Sequence, residues 1–343
     1  MFRNYVSSGV WLAAWISVCV SVLNAYGEPG PSSAPNPKLV KLPMAFPTGM
    51  ENTPILFNGR PFLVDNHRPG GFEAKGENAY LFITDMTTGQ EVTRFGKGHS
   101  FVSAFVEGPE INVFATEFTD FGYTINTKCI NRFTSTDMKS WKQETVLERD
   151  GAEQFFNTSV CKDEQGYLMA YESDIPVKWC FRFARSKDLS HWERIQGLGF
   201  ADVEGQTACA NPAIRYFAPY YYVIYGIHCM QKGLGSFYQY QLPETRYVTA
   251  VARSKDLATW ELSPTRGPML DPVPGEGINN TDADLFEAEG NTYIYYATGD
   301  QATWGTIRVA MYAGSMKEML EMHFPAETPM IVFDAKQQKY IYP

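Results

Sequence analysis

Short runs rich in aromatic and β-branched residues recur along the chain, and each run follows a turn that contains Gly or Pro. Tyr, Phe, Val and Ile at this density favour strands buried on both faces, and a turn followed by such a strand is typical of a β-hairpin. The pattern therefore predicts repeated antiparallel hairpins with little helix. The five runs are residues 61–67, 111–117, 167–172, 220–225 and 293–297.

A second repeat follows the hairpins. Residues 135–141, 186–192 and 254–260 all read Ser-x-Asp-(Leu/Met)-x-x-Trp, and residues 82–86 and 310–316 match loosely. Five repeats of about four strands each predict an all-β fold, a five-bladed β-propeller with four-stranded antiparallel blades. A two-sheet sandwich would also use many short strands, but it would not repeat one internal motif five times.

The repeated aspartates Asp137, Asp188 and Asp256 are interpreted as structural, because an active site is made once. The motif is expected at the turn between the third and fourth strands of a blade. There an Asp accepts hydrogen bonds from turn N–H groups, and the Trp covers the apolar layer between blades.

The N-terminal segment resembles a targeting signal. Arg3 precedes a largely apolar segment, residues 9–23, with small residues after it, which predicts a signal peptide over residues 1–27. An uncleaved anchor helix is the alternative, although the segment is short for a membrane span. Residues 28–45 are rich in Pro and Ser and predict a linker, which leaves residues 46–343 for the propeller domain. The expected location is secreted or periplasmic, with no membrane contact after cleavage.

Charge and cysteine content exclude several functions. The chain has a formal charge of -9 and no basic run, which argues against nucleic acid and anionic membranes as partners. No CxxC pair, HExxH, EF-hand, P-loop or GxGxxG motif is present, so neither a metal nor a cofactor is predicted. Five of the six cysteines follow the signal segment and are expected mostly in the core. The sequence also allows one disulfide, whose partners it does not assign.

Propeller geometry gathers the candidate functional residues at one mouth of the central channel, because first-strand starts and second-strand ends share that rim. Carboxylates and amides there suit sugar hydroxyls, and aromatic rings suit sugar faces. The carboxylate candidates for catalysis are Glu51, Glu172, Asp282 and Asp284. The candidates for substrate binding are Asn157, Asn211, His67, Arg68, Glu117, His228, Trp179 and Trp304.

Two carboxyl groups on opposite sides of a glycosidic bond can act as general acid and general base. Glu172 is favoured because it directly follows a buried apolar strand, where an unpaired charge is costly. Strand alternation does not distinguish Asp282 from Asp284. Glu51 has an alternative interpretation as the end of the linker.

The motifs at 186–192 and 254–260, with the Gly-x-Tyr type hairpins, resemble those of the five-bladed β-propeller glycoside hydrolases. The resemblance covers residues 48–330 and is strongest to glycoside hydrolase family 43, with families 32 and 117 as relatives. It implies an acidic trio from the first three blades: a base, a residue that tunes a pKa, and a general acid. This chain departs from that pattern, with Glu51 in the first blade, Val102 and Ser103 in the second, and Asn157 in the third.

The resemblance implies an exo-acting, inverting glycoside hydrolase that releases a terminal sugar from plant or algal polysaccharide fragments. Glu172 is the expected general acid, with Glu51 or Asp284 as base. The rival hypothesis is a non-catalytic glycan-binding propeller that has lost the acidic trio. A phosphorolytic enzyme ranks last, because only Arg68 and Arg246 would serve a phosphate pocket.

Overall fold

The computed structural model describes residues 39–46, 49–70, 74–120, 126–177, 179–201, 209–229, 246–264, 269–270, 272–299 and 305–343; for 228, 229, 246 and 247 it describes the backbone alone. These residues form five antiparallel sheets, which are the five blades of a propeller. The predicted all-β, five-bladed fold is confirmed. In the described part of the chain the helices are a single 3-10 turn, Gly76–Asn78, and one short α-helix, α1, Met316–Glu321.

Each blade is given from its channel-side strand outward. Blade 1 contains β2 (Asn52–Phe57), β3 (Arg60–His67), β4 (Tyr80–Asp85) and β5 (Gln90–Phe95). Blade 2 contains β6 (His99–Glu107), β7 (Glu110–Asp120), β8 (Asn126–Ser135) and β9 (Lys142–Glu148). Blade 3 contains β10 (Phe155–Asp163), β11 (Gly166–Ser173), β12 (Cys180–Ser186) and β13 (Trp192–Arg194).

The last two blades depart from the simple pattern. Blade 4 contains β14 (Cys209–Phe217), β15 (Tyr220–Cys229), β16 (Arg246–Ser254) and β17 (Thr259–Leu262), extended by β21 (Val332–Asp334) and β22 (Lys339–Ile341). Blade 5 contains β18 (Asn279–Ala288), β19 (Asn291–Gly299), β20 (Thr306–Tyr312) and, as its outer strand, β1 (Leu39–Phe46). Blade 4 therefore has six strands, while the other four blades have the predicted four.

The outer strand of blade 5 corrects the predicted domain boundary. Residues 39–45 fall within the predicted Pro/Ser-rich linker, but Leu39 pairs with Tyr312 and Phe46 with Ile307 across an antiparallel ladder. Composition hides this strand because Pro43 lies within it, beside a register shift where a missing N–H is tolerated. The N-terminal strand thus closes the propeller ring onto the last blade.

One hydrophobic cluster fills each of the five interfaces between neighbouring blades. Strand β11 shows why its residues are apolar on both faces: Leu168 and Ala170 pack toward blade 4, whereas Met169 and Tyr171 pack toward blade 2. Each sheet is covered on both sides, so strand alternation distributes apolar side chains to two interfaces at once.

The Ser-x-Asp motif forms the turn between the third and fourth strands, as predicted. In blade 4, Asp256 Oδ1 accepts from the N–H groups of Ala258 and Thr259 at 2.9 and 2.7 Å, while Ser254 Oγ accepts from the N–H of Leu257 at 2.9 Å. Asp137 and Asp188 make the same pair of contacts in their blades. The repeated aspartates therefore hold turns.

Other predictions concern the termini and the cysteines. The predicted signal peptide lies outside the described residues, and no helix among those residues has the length and apolarity needed to cross a membrane. Cys161, Cys180 and Cys209 are buried in the core, as expected. No disulfide joins the four cysteines with described side chains, the fourth being the half-buried Cys129.

The repeated tryptophans give a stability prediction. Trp260 is fully buried between blades 3 and 4, 4.7 Å from the Phe200 ring, whereas Trp141 is half-buried and stacks on Phe95 at 3.8 Å. We expect Trp260→Ala to lower the unfolding free energy by about 3 to 5 kcal/mol, because a large cavity remains. Trp141→Ala should cost about 1 to 2 kcal/mol. Urea denaturation followed by circular dichroism measures both, and equal costs would contradict this packing.

Candidate active site

A β-bulge at the channel mouth shapes the candidate site. In blades 2 to 5, two residues near the start of the channel-side strand oppose one residue of the second strand. The opposing residues are Ala115, Glu172, Tyr225 and Tyr296, in blade order. Glu172 is the one carboxylate of this set. A bulge bends the strand and redirects side chains. Asn157, Asn211 and Asp282, one from each of three bulges, line one pocket.

Three of the bulge residues adopt a left-handed backbone: Phe101 at φ +58°, Asn211 at +57° and Asp282 at +51°. Asn and Asp tolerate this conformation, but Phe does so at a cost. Two contacts stabilise Phe101. Its N–H donates to Asn66 Oδ1 at 3.3 Å, and the Arg68 guanidinium lies 4.6 Å above the ring.

Glu172 lies near the end of β11 with 5% of its surface exposed. Its Oε2 accepts hydrogen bonds from Asn157 Nδ2 at 2.9 Å and from the N–H of Asn211 at 3.1 Å. Burial raises the pKa of the Glu172 carboxyl to about 7, although these hydrogen bonds oppose the shift. The negative charge of Glu51 raises this pKa further. Glu172 therefore retains a proton to about neutral pH.

Glu51 is held very differently, immediately before β2. Its Oε1 accepts from Arg68 Nη2 at 2.9 Å and its Oε2 from Asn66 Nδ2 at 3.1 Å. Asn66 also donates to the Glu51 carbonyl oxygen at 3.1 Å and accepts from Ser100 Oγ. A buried guanidinium and an amide thus fix the Glu51 carboxylate as a charge-paired group.

The two aspartates of β18 are distinguished by their partners. Asp284 pairs with Arg215 Nη2 at 2.5 Å and accepts from the N–H of Leu285 at 2.7 Å. Asp282 is buried, and its Oδ2 has no hydrogen-bond partner among the described residues. Burial raises the pKa of Asp282 well above its ordinary value, and the charges of Glu51 and Glu172 add to the increase. The bulge between Thr281 and Asp284 breaks the alternation that left the two aspartates equivalent in the sequence.

One pocket is lined by five of the twelve predicted site residues. Its cavity volume is about 20 Å³, and its lining comprises Glu51, Asn52, Thr53, Val102, Asn157, Thr158, Asn211, Pro212, Asp282, Ala283 and Asp284. Glu172 is connected to this pocket by its hydrogen bonds to the lining residues Asn157 and Asn211. Arg68 is connected to it by its ion pair with Glu51. Two carboxyl groups that form no ion pair with the described residues, Glu172 and Asp282, thus lie close to amides that can bind hydroxyls.

Other predicted binding residues make contacts elsewhere. His67 stacks on Tyr80 at 4.7 Å; burial, followed by the charge of Arg94, lowers the pKa of this histidine. Glu117 pairs with Lys128 at 2.5 Å and lies opposite His99, two residues beyond the position equivalent to Glu172.

Trp179 is half-buried beside the site, with its ring 4.4 Å from that of Phe156 in an edge-to-face contact. It is the predicted aromatic that lies within the described residues. Trp304 lies outside them, and for His228 the backbone alone is described.

Four buried residues escaped the sequence analysis as site residues. Asn52 and Thr53 line the pocket, and Asn66 holds Glu51. Asp65 is buried near Glu51, and burial raises the pKa of Asp65 well above its ordinary value. A Cβ atom added at Gly49 would lie 2.3 Å from the Asp65 carboxylate. The one sequence signal for these residues was their expected position at the same rim of the channel as the other candidates. Among the described residues, no group of three or more His, Cys, Asp or Glu side chains is placed to hold a metal ion.

Comparison with known proteins confirms the predicted resemblance in fold. No family model and no curated protein sequence matches the chain. Similar solved structures include BT0996 in an RGII complex, with a TM-score of 0.61 and 14% identity over 81% of this chain and 93% of that one. A second structure, named as a glycoside hydrolase, has a TM-score of 0.58 and 13% identity over 91% of this chain and 97% of that one. The α-L-arabinanase of Cellvibrio cellulosa has a TM-score of 0.52 and 11% identity over 76% of this chain and 91% of that one. At these identities the likeness establishes the five-bladed fold.

The buried Glu172 carboxyl gives a prediction about stability. Its pKa is about 7 in the folded protein and about 4.3 in an unfolded chain, so stability falls as pH rises through this window. A glutamine in its place would keep an oxygen for the donors Asn157 and Asn211 without the buried charge. Glu172→Gln should therefore raise the unfolding free energy at pH 8 by about 2 to 3 kcal/mol. The gain should vanish toward pH 4.5.

Urea denaturation at both pH values measures the gain. Glu144→Gln, at an exposed carboxylate of blade 2, provides the control. A variant that is no more stable than wild type at pH 8 would contradict the raised pKa.

Proposed function

We propose that this protein is a glycoside hydrolase in which Glu172 donates the proton to the departing sugar oxygen. The observation that carries the proposal is the Glu172 carboxyl itself, which is buried, oriented by two donors and protonated to about neutral pH. A general acid needs a proton at the working pH and a fixed direction of transfer. Glu172 combines both in a pocket with further carboxylates.

Glu51 supports this role through its charge. Arg68 and Asn66 hold its side chain in place, and the charge of Glu51 raises the pKa of Glu172. An ionised carboxylate in the pocket also stabilises the positive charge that develops on the sugar ring in the oxocarbenium-like transition state. We therefore assign Glu51 the role of tuning the acid and stabilising this charge.

We propose further that the substrate is the terminal sugar of a plant or algal polysaccharide fragment, and that the protein acts outside the cytoplasm. The amides and carboxylates that line the pocket match the hydroxyl groups of a sugar. Asn157 and Asn211 would bind hydroxyls, and Trp179 would contact the face of a ring. The α-L-arabinanase among the similar structures makes α-L-arabinosides the first substrates to test.

A glycan-binding propeller without catalysis is the rival function. One observation favours it: Phe101 occupies the bulge position in blade 2, and Asn157 lies in the bulge of blade 3. The acidic pattern of the first three blades is thus interrupted at two positions. Against the rival, a buried carboxyl with a raised pKa is costly to a protein that needs it only for binding.

The test is release of monosaccharide from a panel of plant and algal oligosaccharides that includes α-L-arabinosides. We expect wild type to release sugar, with kcat/KM falling as pH rises above about 7 because Glu172 loses its proton. Glu172→Gln should reduce release about a hundredfold or more. The exposed substitution Glu144→Gln should leave the rate unchanged.

Two outcomes would contradict the proposal. Oligosaccharide that binds to wild type without any release of sugar would establish the rival function. Release that survives Glu172→Gln with an unchanged pH profile would keep the activity and remove Glu172 from the acid role.

A further inference from the structure

Three buried oxygen atoms have no hydrogen-bond partner among the described residues, and all three belong to residues that line the same pocket. They are Asn52 Oδ1, Thr53 Oγ1 and Asp282 Oδ2, on side chains whose residues are 4 to 5% exposed. A buried polar atom without a hydrogen bond is unfavourable, so three on residues that line one pocket indicate a ligand that supplies the missing hydrogen bonds.

The space inside this pocket limits the size of that ligand. The cavity measures about 20 Å³, which is room for one water molecule. A water donates two hydrogen bonds and accepts others, so it matches an amide oxygen, a carboxylate oxygen and a hydroxyl. The site joins blade 5 to blade 1, where Asn52 Nδ2 donates to the Asp282 carbonyl oxygen at 3.0 Å and fixes the two residues relative to each other.

We propose that Asn52, Thr53 and Asp282 hold the water that attacks the anomeric carbon, and that Asp282 is its general base. This inference rests on the proposed hydrolase function and names the residue that completes the acid–base pair with Glu172. It replaces Glu51 and Asp284, the two bases expected from the sequence.

Asp282 differs from the other two carboxylates in its hydrogen bonding. Both oxygens of Glu51 accept from a side chain, Arg68 or Asn66. Asp284 is paired with Arg215 and with the N–H of Leu285 through one oxygen, Oδ1. Asp282 is the residue of the three with a buried oxygen that lacks a partner within the described structure.

In the proposed step, one bond to the anomeric carbon forms while another breaks. Asp282 Oδ2 takes one proton from the water as the water oxygen bonds to the anomeric carbon. The bond between that carbon and the leaving oxygen breaks, and the leaving oxygen receives the proton of Glu172. The anomeric configuration inverts, and the proton on Asp282 returns to Glu172 through solvent.

The charged groups that face Asp282 suit this role. Glu51 and Glu172 raise its pKa after burial does, and Arg68 opposes them. A raised pKa makes the ionised carboxylate a stronger base. The same mutual repulsion favours one proton shared between Glu172 and Asp282, so that one acts as acid while the other acts as base.

The kinetic test uses a 4-nitrophenyl glycoside of the sugar that wild type releases, starting with 4-nitrophenyl α-L-arabinofuranoside. Asp282→Ala should reduce kcat about 10³-fold, and added sodium azide should restore turnover by forming the glycosyl azide of inverted configuration. Glu172→Gln should lose much less on this substrate than on oligosaccharides, because nitrophenolate leaves without a proton. Thr53→Val, which removes one contact to the water, should reduce kcat about tenfold with little change in KM.

Asp188→Asn, at the turn between β12 and β13, is the folding control and should retain wild-type kinetics. Azide rescue of Glu51→Ala but not of Asp282→Ala would overturn the assignment while leaving the hydrolase proposal intact. Retained configuration in the wild-type product, read by proton NMR, would also overturn it.

A readout independent of turnover separates the two proposals. A high-resolution crystal structure should place a water within about 3.2 Å of Asp282 Oδ2 and Thr53 Oγ1 in wild type. The water should be displaced in Thr53→Val. A wild type that releases no sugar would contradict the proposed function, whereas a wild-type crystal without this water would contradict the further inference alone.

Discussion

The site depends on hydrogen bonds that join each blade to the next around the channel mouth. Ser100 bonds to Asn66 between blades 1 and 2, Ser103 to Thr158 between blades 2 and 3, Asn157 to Asn211 between blades 3 and 4, Asn211 to Thr281 between blades 4 and 5, and Asn52 to the Asp282 carbonyl between blades 5 and 1. The ring of contacts is closed. Because every blade contributes, the geometry of the carboxylates is set by the propeller as a whole, as precise chemistry on a rigid scaffold requires.

Within this ring the charges are compensated unequally. Arg68 pairs with Glu51 and Arg215 with Asp284, so two of the pocket carboxylates have a guanidinium partner. Within the described part of the chain Glu172 and Asp282 form no ion pair, and burial raises the pKa of each. In the proposed mechanism, the repulsion between Glu172 and Asp282 favours one shared proton, so that one carboxyl acts as acid and the other as base. The instability of an uncompensated charge is thus the physical source of the proposed chemistry.

The fold could be predicted closely because its signals are local. The run at residues 167–172 predicted a strand that spans Gly166–Ser173, and the Ser-x-Asp turns fall at the expected connection. Strand β1 was missed because a Pro interrupts its pattern. The extra strands β21 and β22 of blade 4 carried no repeat signal at all.

The site was predicted in part, because the rim position of a residue follows from strand order while its partner does not. Glu172 is buried, as the apolar residues before it in β11 indicated. Asp282 and Asp284 were inseparable because the bulge that distinguishes them breaks the assumed alternation. The partner of Asp284, Arg215, lies 69 residues away in the chain, and a pairing across blades has no local signature.

The most direct test of this account is the titration of Glu172 itself. Carbon-13 NMR of protein labelled at the glutamate carboxyl carbon would follow every glutamate with pH, and the signal absent from Glu172→Gln identifies residue 172. The account predicts that this signal titrates with a midpoint near pH 7. A midpoint near the ordinary glutamate value of about 4.3 would contradict it, because Glu172 would then be ionised at neutral pH and unable to act as the acid.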